Sequence, residues 1–166
     1  MKYLPIIMAL TLGGMAPSPA WSQVSFKAVG EGVMSYMFWD LYRAKLATTD
    51  GDYQAGEHPV RLTLTYLRDI EASDIVKATF DQWRHLDKAQ YVSEYGDTLQ
   101  GLWPDITEGD SLAFETNEQG VGTFYYNGEK LQTIEQQAFS EAFLAIWLSP
   151  NTSEPKLRQK LIGASE

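Results

Sequence analysis

The clearest alternation in the chain runs from Val60 to Arg68. Val60, Leu62, Leu64, Tyr66 and Arg68 fall on one side of an extended chain, and Arg61, Thr63, Thr65 and Leu67 on the other. That period of two is the mark of a half-buried strand, and His58-Pro59 opens it. Upstream, Val24 to Val29 alternates loosely and ends at Gly30-Glu31-Gly32, which reads as a turn or bulge. Val33 to Thr48 predicts one long strand bent near Asp40, or two shorter ones, closed by the turn residues Thr49-Asp50-Gly51-Asp52. The period then changes. Ile75, Val76, Thr79, Phe80 and Trp83 form a helical stripe with Ser73 placed as N-cap, and a second helix is predicted from Tyr91 to Trp103, stopping at Pro104. Strands return at Ser111 to Thr116, Gly122 to Tyr126 and Leu131 to Ile134. The first two are joined by a polar turn through Asn117 and Gly120, the last two by the hairpin dipeptide Asn127-Gly128. Helices over Glu135 to Leu148 and Pro155 to Ile162 follow, with Gly163 as a stop. Strands, then helices, then a hairpin and helices indicate an α+β fold on an antiparallel sheet.

The first 22 residues stand apart from this pattern. Lys2, the apolar run Leu4 to Leu12 and the small residues Ala16-Pro17-Ser18-Pro19-Ala20 have the build of a secretory signal peptide, with cleavage expected after Ala20 or Ser22. The run falls short of the ~20 residues that cross a bilayer; an uncleaved anchor is the alternative. Residues 23–166 are then one domain, expected in a bacterial periplasm or secreted, with no stable membrane insertion once the leader is gone.

Charge and composition narrow the partners. A net charge of −9 over 166 residues argues against nucleic acid, which needs clustered cations, and against attraction to anionic lipid. The absence of cysteine removes disulfides, thiolate chemistry and Cys-ligated zinc. An aromatic share of 13% points to a core or cavity rich in ring surface.

Few local motifs carry chemistry. Gly109-Asp110-Ser111-Leu112 spells an esterase nucleophile block, but both histidines, His58 and His85, lie upstream of it, so a turn feeding a strand is the simpler reading. Asp50-Gly51-Asp52 with Glu57 has too few ligands for a calcium loop, and His58 and His85 lack the spacing of a zinc pair. Each histidine is expected on the surface or in a loop. Gly30-Glu31-Gly32 lacks the third glycine of a dinucleotide loop, and Asn151-Thr152-Ser153 reads as a capping loop. No metal or cofactor is expected.

Tyr66 and Arg68 are more informative. Both are expected to leave the apolar face of their strand where it meets the helices, and a guanidinium there must be paired or directed into a polar mouth. One reading is an anion or carbonyl anchor beside an apolar pocket; the other is an arginine whose stem packs on Tyr66 while its head reaches water. Tyr42 and Arg43 form a second, weaker pair of the same kind.

Several blocks taken in order resemble the chalcone-isomerase-like family, in its bacterial secreted branch. These are Val29-Gly30-Glu31-Gly32, Phe38-Trp39-Asp40-Leu41-Tyr42-Arg43-Ala44-Lys45-Leu46 and Arg61 to Ile70. Gly109-Asp110, Gly122-Thr123 with Asn127-Gly128, Ala145-Ile146-Trp147-Leu148 and Leu157 to Gly163 complete the likeness. The resemblance implies an open-faced sandwich, a large antiparallel sheet with helices on one face and a ligand cleft between the layers. It also implies an arginine just beyond the early glycines in the catalytic members, where this chain has Val33 and Met34. Tyr42 falls near a strand position where the family carries a hydroxyl. Related non-catalytic members bind fatty acids in the same cleft. The expected function is therefore binding of a small apolar or amphipathic ligand without catalysis, with Arg68, Tyr66 and Tyr42 as candidate contacts. An isomerase or lyase acting on a phenolic enone, and a partner-binding module with a filled cleft, are the alternatives.

Overall fold

The computed structural model describes residues 24–164, so the expected leader and its cleavage points lie outside the described residues. Six strands are met in chain order: β1 (Lys27–Tyr36), β2 (Trp39–Thr48), β3 (Val60–Tyr66), β4 (Ser111–Thr116), β5 (Gly122–Tyr126) and β6 (Glu129–Ile134). They form one sheet in the order of the sequence, every neighbouring pair antiparallel. Between β3 and β4 the chain makes α1 (Ala72–His85) and α2 (Gln90–Leu99); after β6 it makes α3 (Gln137–Leu148) and α4 (Pro155–Leu161). This is the α+β open-faced sandwich.

Alternation decides which face is covered. Leu62, Leu64 and Tyr66 on β3, Leu112 and Phe114 on β4 and Phe124 on β5 are buried beneath the helices. The intervening residues face outward, where Arg61 pairs with Glu115 and Thr123 bonds Thr133. Helix α3 is buried along most of its length, and its Phe139 and Phe143 stack at 5.9 Å over Phe114 and Phe124. Trp83 of α1 ties the helices together by donating Nε1–H to Ala142 O at 3.0 Å. Each such buried ring contributes roughly 1.5–3 kcal/mol of transfer free energy.

Several boundaries differ from those expected. Of the turn or bulge expected at Gly30-Glu31-Gly32, the turn is absent, because β1 continues through these residues, while a bulge-like register shift stands between Ala28 and Gly30. The glycines serve packing: a Cβ on Gly30 would stand 2.0 Å from Lys160 O, and one on Gly32 2.7 Å from Leu157 Cδ1, so α4 lies directly on the strand backbone. The hairpin turns at Met37 and Phe38 rather than near Asp40, with Met37 at φ 55. Ser73 lies within α1; instead Asp105, from the loop before β4, accepts from Ala72 N at 2.9 Å. Helix α2 ends at Leu99, and Gly101 at φ +89 turns the chain, so Leu102 and Trp103 pack as loop residues. Strand β6 begins at Glu129, directly after Asn127-Gly128, and α3 begins at Gln137.

Candidate functional site

A cavity of about 550 Å3 separates the sheet from the helices. Its floor follows strand register: Met34 of β1 pairs with Tyr42 of β2, which pairs with Tyr66 of β3, and one row deeper Leu64 pairs with Leu112. Opposite them stand Ile75 and Thr79 of α1 and Phe143, Ile146 and Trp147 of α3, with Trp103 from the loop. The Thr79 hydroxyl is satisfied within its own helix by Ile75 O at 2.9 Å. Tyr36, Asp74, Lys77, Ala78, Asp81 and Ser153 are lining residues that also face solvent, which places the mouth among the β1–β2 hairpin, the outer side of α1 and the α3–α4 loop. Lys77 is the only cation among the described lining residues, and it is paired with Asp81 at 2.8 Å.

Two phenols are the polar groups on the sheet side of the cavity, and the half-buried Gln82 and Glu154 also line it. Tyr42 and Tyr66 meet edge to face with centroids 5.7 Å apart. Tyr42 is half-buried, with its hydroxyl at the inner end, where it accepts the Trp147 Nε1–H at 3.0 Å. Burial pushes its pKa up to about 12, with the Trp147 hydrogen bond pulling the other way and the Glu154 charge adding a smaller push. Burial likewise raises the Tyr66 phenol, with a smaller contribution from Tyr42. Both therefore stay protonated at any physiological pH, because desolvation penalises the phenolate. Among the described residues Tyr42 Oη takes part only as the acceptor for Trp147, and Tyr66 Oη is in no side-chain hydrogen bond. Trp103 Nε1 is a further buried donor without a partner. The arrangement offers two neutral hydrogen-bond donors at one end of an apolar chamber.

Of the three residues singled out from sequence, the fold brings Tyr42 and Tyr66 together and leaves Arg68 apart. Extending the alternation past Tyr66 fails because the chain leaves the strand there. Tyr66 bonds Asp110 O and Gly109 N, and Leu67 N bonds Leu41 O, all at 2.9 Å. Arg68 is not among the cavity's lining residues; its guanidinium lies over the Trp39 ring, 4.6 Å from the centroid. Arg43 is on the outer face, paired in register with Val33 and Thr65. Met34, at one of the two positions compared with the family arginine, lines the cavity, while Val33 is exposed. Trp147 and Trp103 were not legible as site residues: both sit in apolar runs whose only sequence signal is core packing.

The remaining motifs are structural. Asp110 accepts from Thr107 N, Tyr126 Oη and Asn127 Nδ2, latching the β3–β4 connection to the β5–β6 hairpin. His58 lies in the loop before β3, one of the two settings expected for it, and is half-buried there with Nδ1 2.8 Å from Thr116 Oγ1; burial lowers its pKa. Among the described residues no three His, Cys, Asp or Glu side chains gather as for a metal, and no helix is long and apolar enough to cross a membrane.

A family model described as chalcone isomerase-like matches residues 24–163. The chain belongs to the chalcone isomerase-like family. A Haemophilus influenzae protein described as uncharacterized is 26% identical, aligned over 100% of this chain and 79% of its own. The crystal structure of the Arabidopsis thaliana fatty-acid binding protein AtFAP1 is similar with a TM-score of 0.68, covering 88% of this chain and 91% of that one. At 9% identity that likeness is one of fold.

Proposed function

We propose that this chalcone isomerase-like protein binds a small amphipathic ligand of the fatty-acid kind in the cavity between sheet and helices, without catalysis, in the bacterial periplasm. The two uncommitted phenol protons of Tyr42 and Tyr66 carry this reading. They suit the acceptor oxygen of a carboxyl or carbonyl head, while Leu64, Leu112, Phe114 and Phe143 accommodate an apolar tail. A chamber of about 550 Å3 falls within the roughly 300–1,000 Å3 of small-molecule sites. The fatty-acid binding neighbour of the same fold supports the ligand class. The lack of a free cation among the described lining residues favours binding over enone chemistry, which needs an electrophile for the developing enolate. The periplasmic assignment follows from the leader-like segment of residues 1–22.

Calorimetric titration with saturated fatty acids of increasing length tests the proposal. Saturable one-to-one binding is expected, tightening with length until the tail fills the chamber. Tyr66→Phe should weaken it by roughly 3–10-fold, the worth of one net hydrogen bond. Absence of saturable binding across the series would overturn it.

A further inference from the structure

The tip of the β1–β2 hairpin breaks the rule that apolar side chains seek the core. Tyr36, Met37, Phe38 and Trp39 are 63%, 76%, 94% and 61% exposed, four consecutive large apolar side chains with no charge among them. Nothing in the hairpin's geometry needs them, since a turn at Met37 and Phe38 is made more readily by glycine or asparagine. We propose that this tip is a docking point for a zwitterionic lipid surface, from which the cavity takes up its ligand.

Shape and area favour lipid over protein. The patch is a convex point rather than a groove. With aromatic side chains worth roughly 150–250 Å2 each, its three rings expose about 330–550 Å2 in all. A stable protein interface buries roughly 800 Å2 per partner, so the tip alone does not support a second copy of the chain. Tyr and Trp are the side chains that settle at the boundary between headgroups and hydrocarbon. Trp39 carries the Arg68 guanidinium on its ring at 4.6 Å, which sets a cation beside the aromatics, where a lipid phosphate would lie. The rest of the molecule is acidic, with Asp74, Asp81 and Glu154 at the cavity and a net charge of −9, so an anionic surface is disfavoured.

The tip is continuous with the site. Met34, Tyr36, Leu41 and Tyr42, on either side of the turn, belong to the cavity wall, so a docked tip brings the mouth to the membrane surface. The purpose given to docking, ligand uptake, rests on the binding reading of the cavity; docking itself does not.

The absence of native cysteine allows a single fluorophore to be placed at will. The full chain is labelled with an environment-sensitive dye at Met37→Cys and, as a control, at Glu118→Cys in the β4–β5 turn. Phosphatidylcholine vesicles should shift the Met37→Cys emission to the blue, and lipid-borne quenchers should quench it, while the Glu118→Cys label stays unchanged. Phe38→Ser with Trp39→Ser, assayed by vesicle co-flotation, should weaken vesicle binding by at least about tenfold. Circular dichroism and fatty-acid titration of that variant in vesicle-free buffer should match those of the unaltered chain. Adding phosphatidylglycerol to the vesicles should not strengthen binding. An unresponsive label at position 37, equal binding by the serine variant, or a dimer lost in that variant would overturn the proposal. Vesicle binding by a chain that takes up no fatty acid would keep the docking tip and remove the binding reading.

Discussion

Trp147 donates its indole N–H to the Tyr42 hydroxyl at 3.0 Å, joining residues 105 positions apart and holding α3 to β2 across one end of the cavity. The bond fixes the phenol as acceptor toward the helix and leaves its own proton for the chamber.

Removing either partner should be costly and the costs should not add. Trp147→Phe loses the bond and part of a buried ring, and about 1–3 kcal/mol of stability is expected to go. Tyr42→Phe leaves the indole N–H unpaired and should lose about 1–3 kcal/mol. In urea denaturation of both single variants and the double variant, a coupling of about 0.5–1.5 kcal/mol is expected. Strict additivity would mean that the bond contributes nothing.

Alkali should find these phenols. A tyrosine in the unfolded chain ionises near its ordinary value of 10.0, whereas Tyr42 in the fold is held up to about 12. Below pH 10 both states are protonated and the stability is fully present. Above it the unfolded chain releases protons that the folded chain retains, so stability falls as pH rises toward 12. The two-unit gap corresponds to about 2–3 kcal/mol for Tyr42, and Tyr66 acts in the same direction. Urea midpoints at about pH 8 and about pH 11 should separate widely for the unaltered chain and less for Tyr42→Phe.

Two glycines should respond oppositely to alanine. Gly30→Ala drives a Cβ to 2.0 Å from Lys160 O and 2.8 Å from Leu161 O, both backbone atoms, so α4 must move off β1 and a loss of about 3 kcal/mol or more is expected. In Gly96→Ala the new methyl meets only Phe80 Cζ at 3.5 Å, within helix α2. There alanine should stabilise by about 0.5–1 kcal/mol through helix propensity. Thermal unfolding of the two variants checks both signs.

Acid should loosen the Asp110 latch. Hydrogen bonds from Asn127, the Thr107 backbone N–H and Tyr126 hold its pKa below the ordinary 3.8, so its contribution is present above that value and fades as pH falls through the lower folded one. Asp110→Asn should be less stable at neutral pH and show a shallower acid limb. It should also bring the Tyr126 phenol, raised chiefly by this same bond, back toward 10.0. A spectrophotometric tyrosine titration reads that shift directly.

The sheet was legible where burial on one face alone decides the residue. Val60 to Tyr66, Ser111 to Thr116 and Gly122 to Tyr126 alternate because each strand has one covered and one open side. The alternation says nothing about where a strand stops, which is why Arg68 was carried two residues too far onto the covered face. The β1–β2 turn carries no turn residue, and Met37-Phe38 reads as more strand. The cap of α1 comes from Asp105, 33 residues away, and Ser73 gives no hint of it. Of the candidate site, Tyr42 and Tyr66 were legible as hydroxyls on neighbouring strands. The chamber itself was not, because an unfilled space between layers is a property of packing distances that no single residue encodes.

The order of the sheet has a kinetic consequence. Four of the five connections between neighbouring strands are turns or loops, and only that from β3 to β4 is interrupted by helices, α1 and α2. Local zippering can therefore build β1–β3 and β4–β6 as separate meanders early, while the β3–β4 seam waits for a long loop to close. That seam, Leu64 against Leu112, is also the floor of the cavity. Pocket and final zipping step are then one event, and an occupant would slow unfolding by holding the two halves of the sheet together. Hydrogen exchange of the Leu64 and Leu112 amides, with and without a saturating fatty acid, would register this as protection concentrated along that single seam.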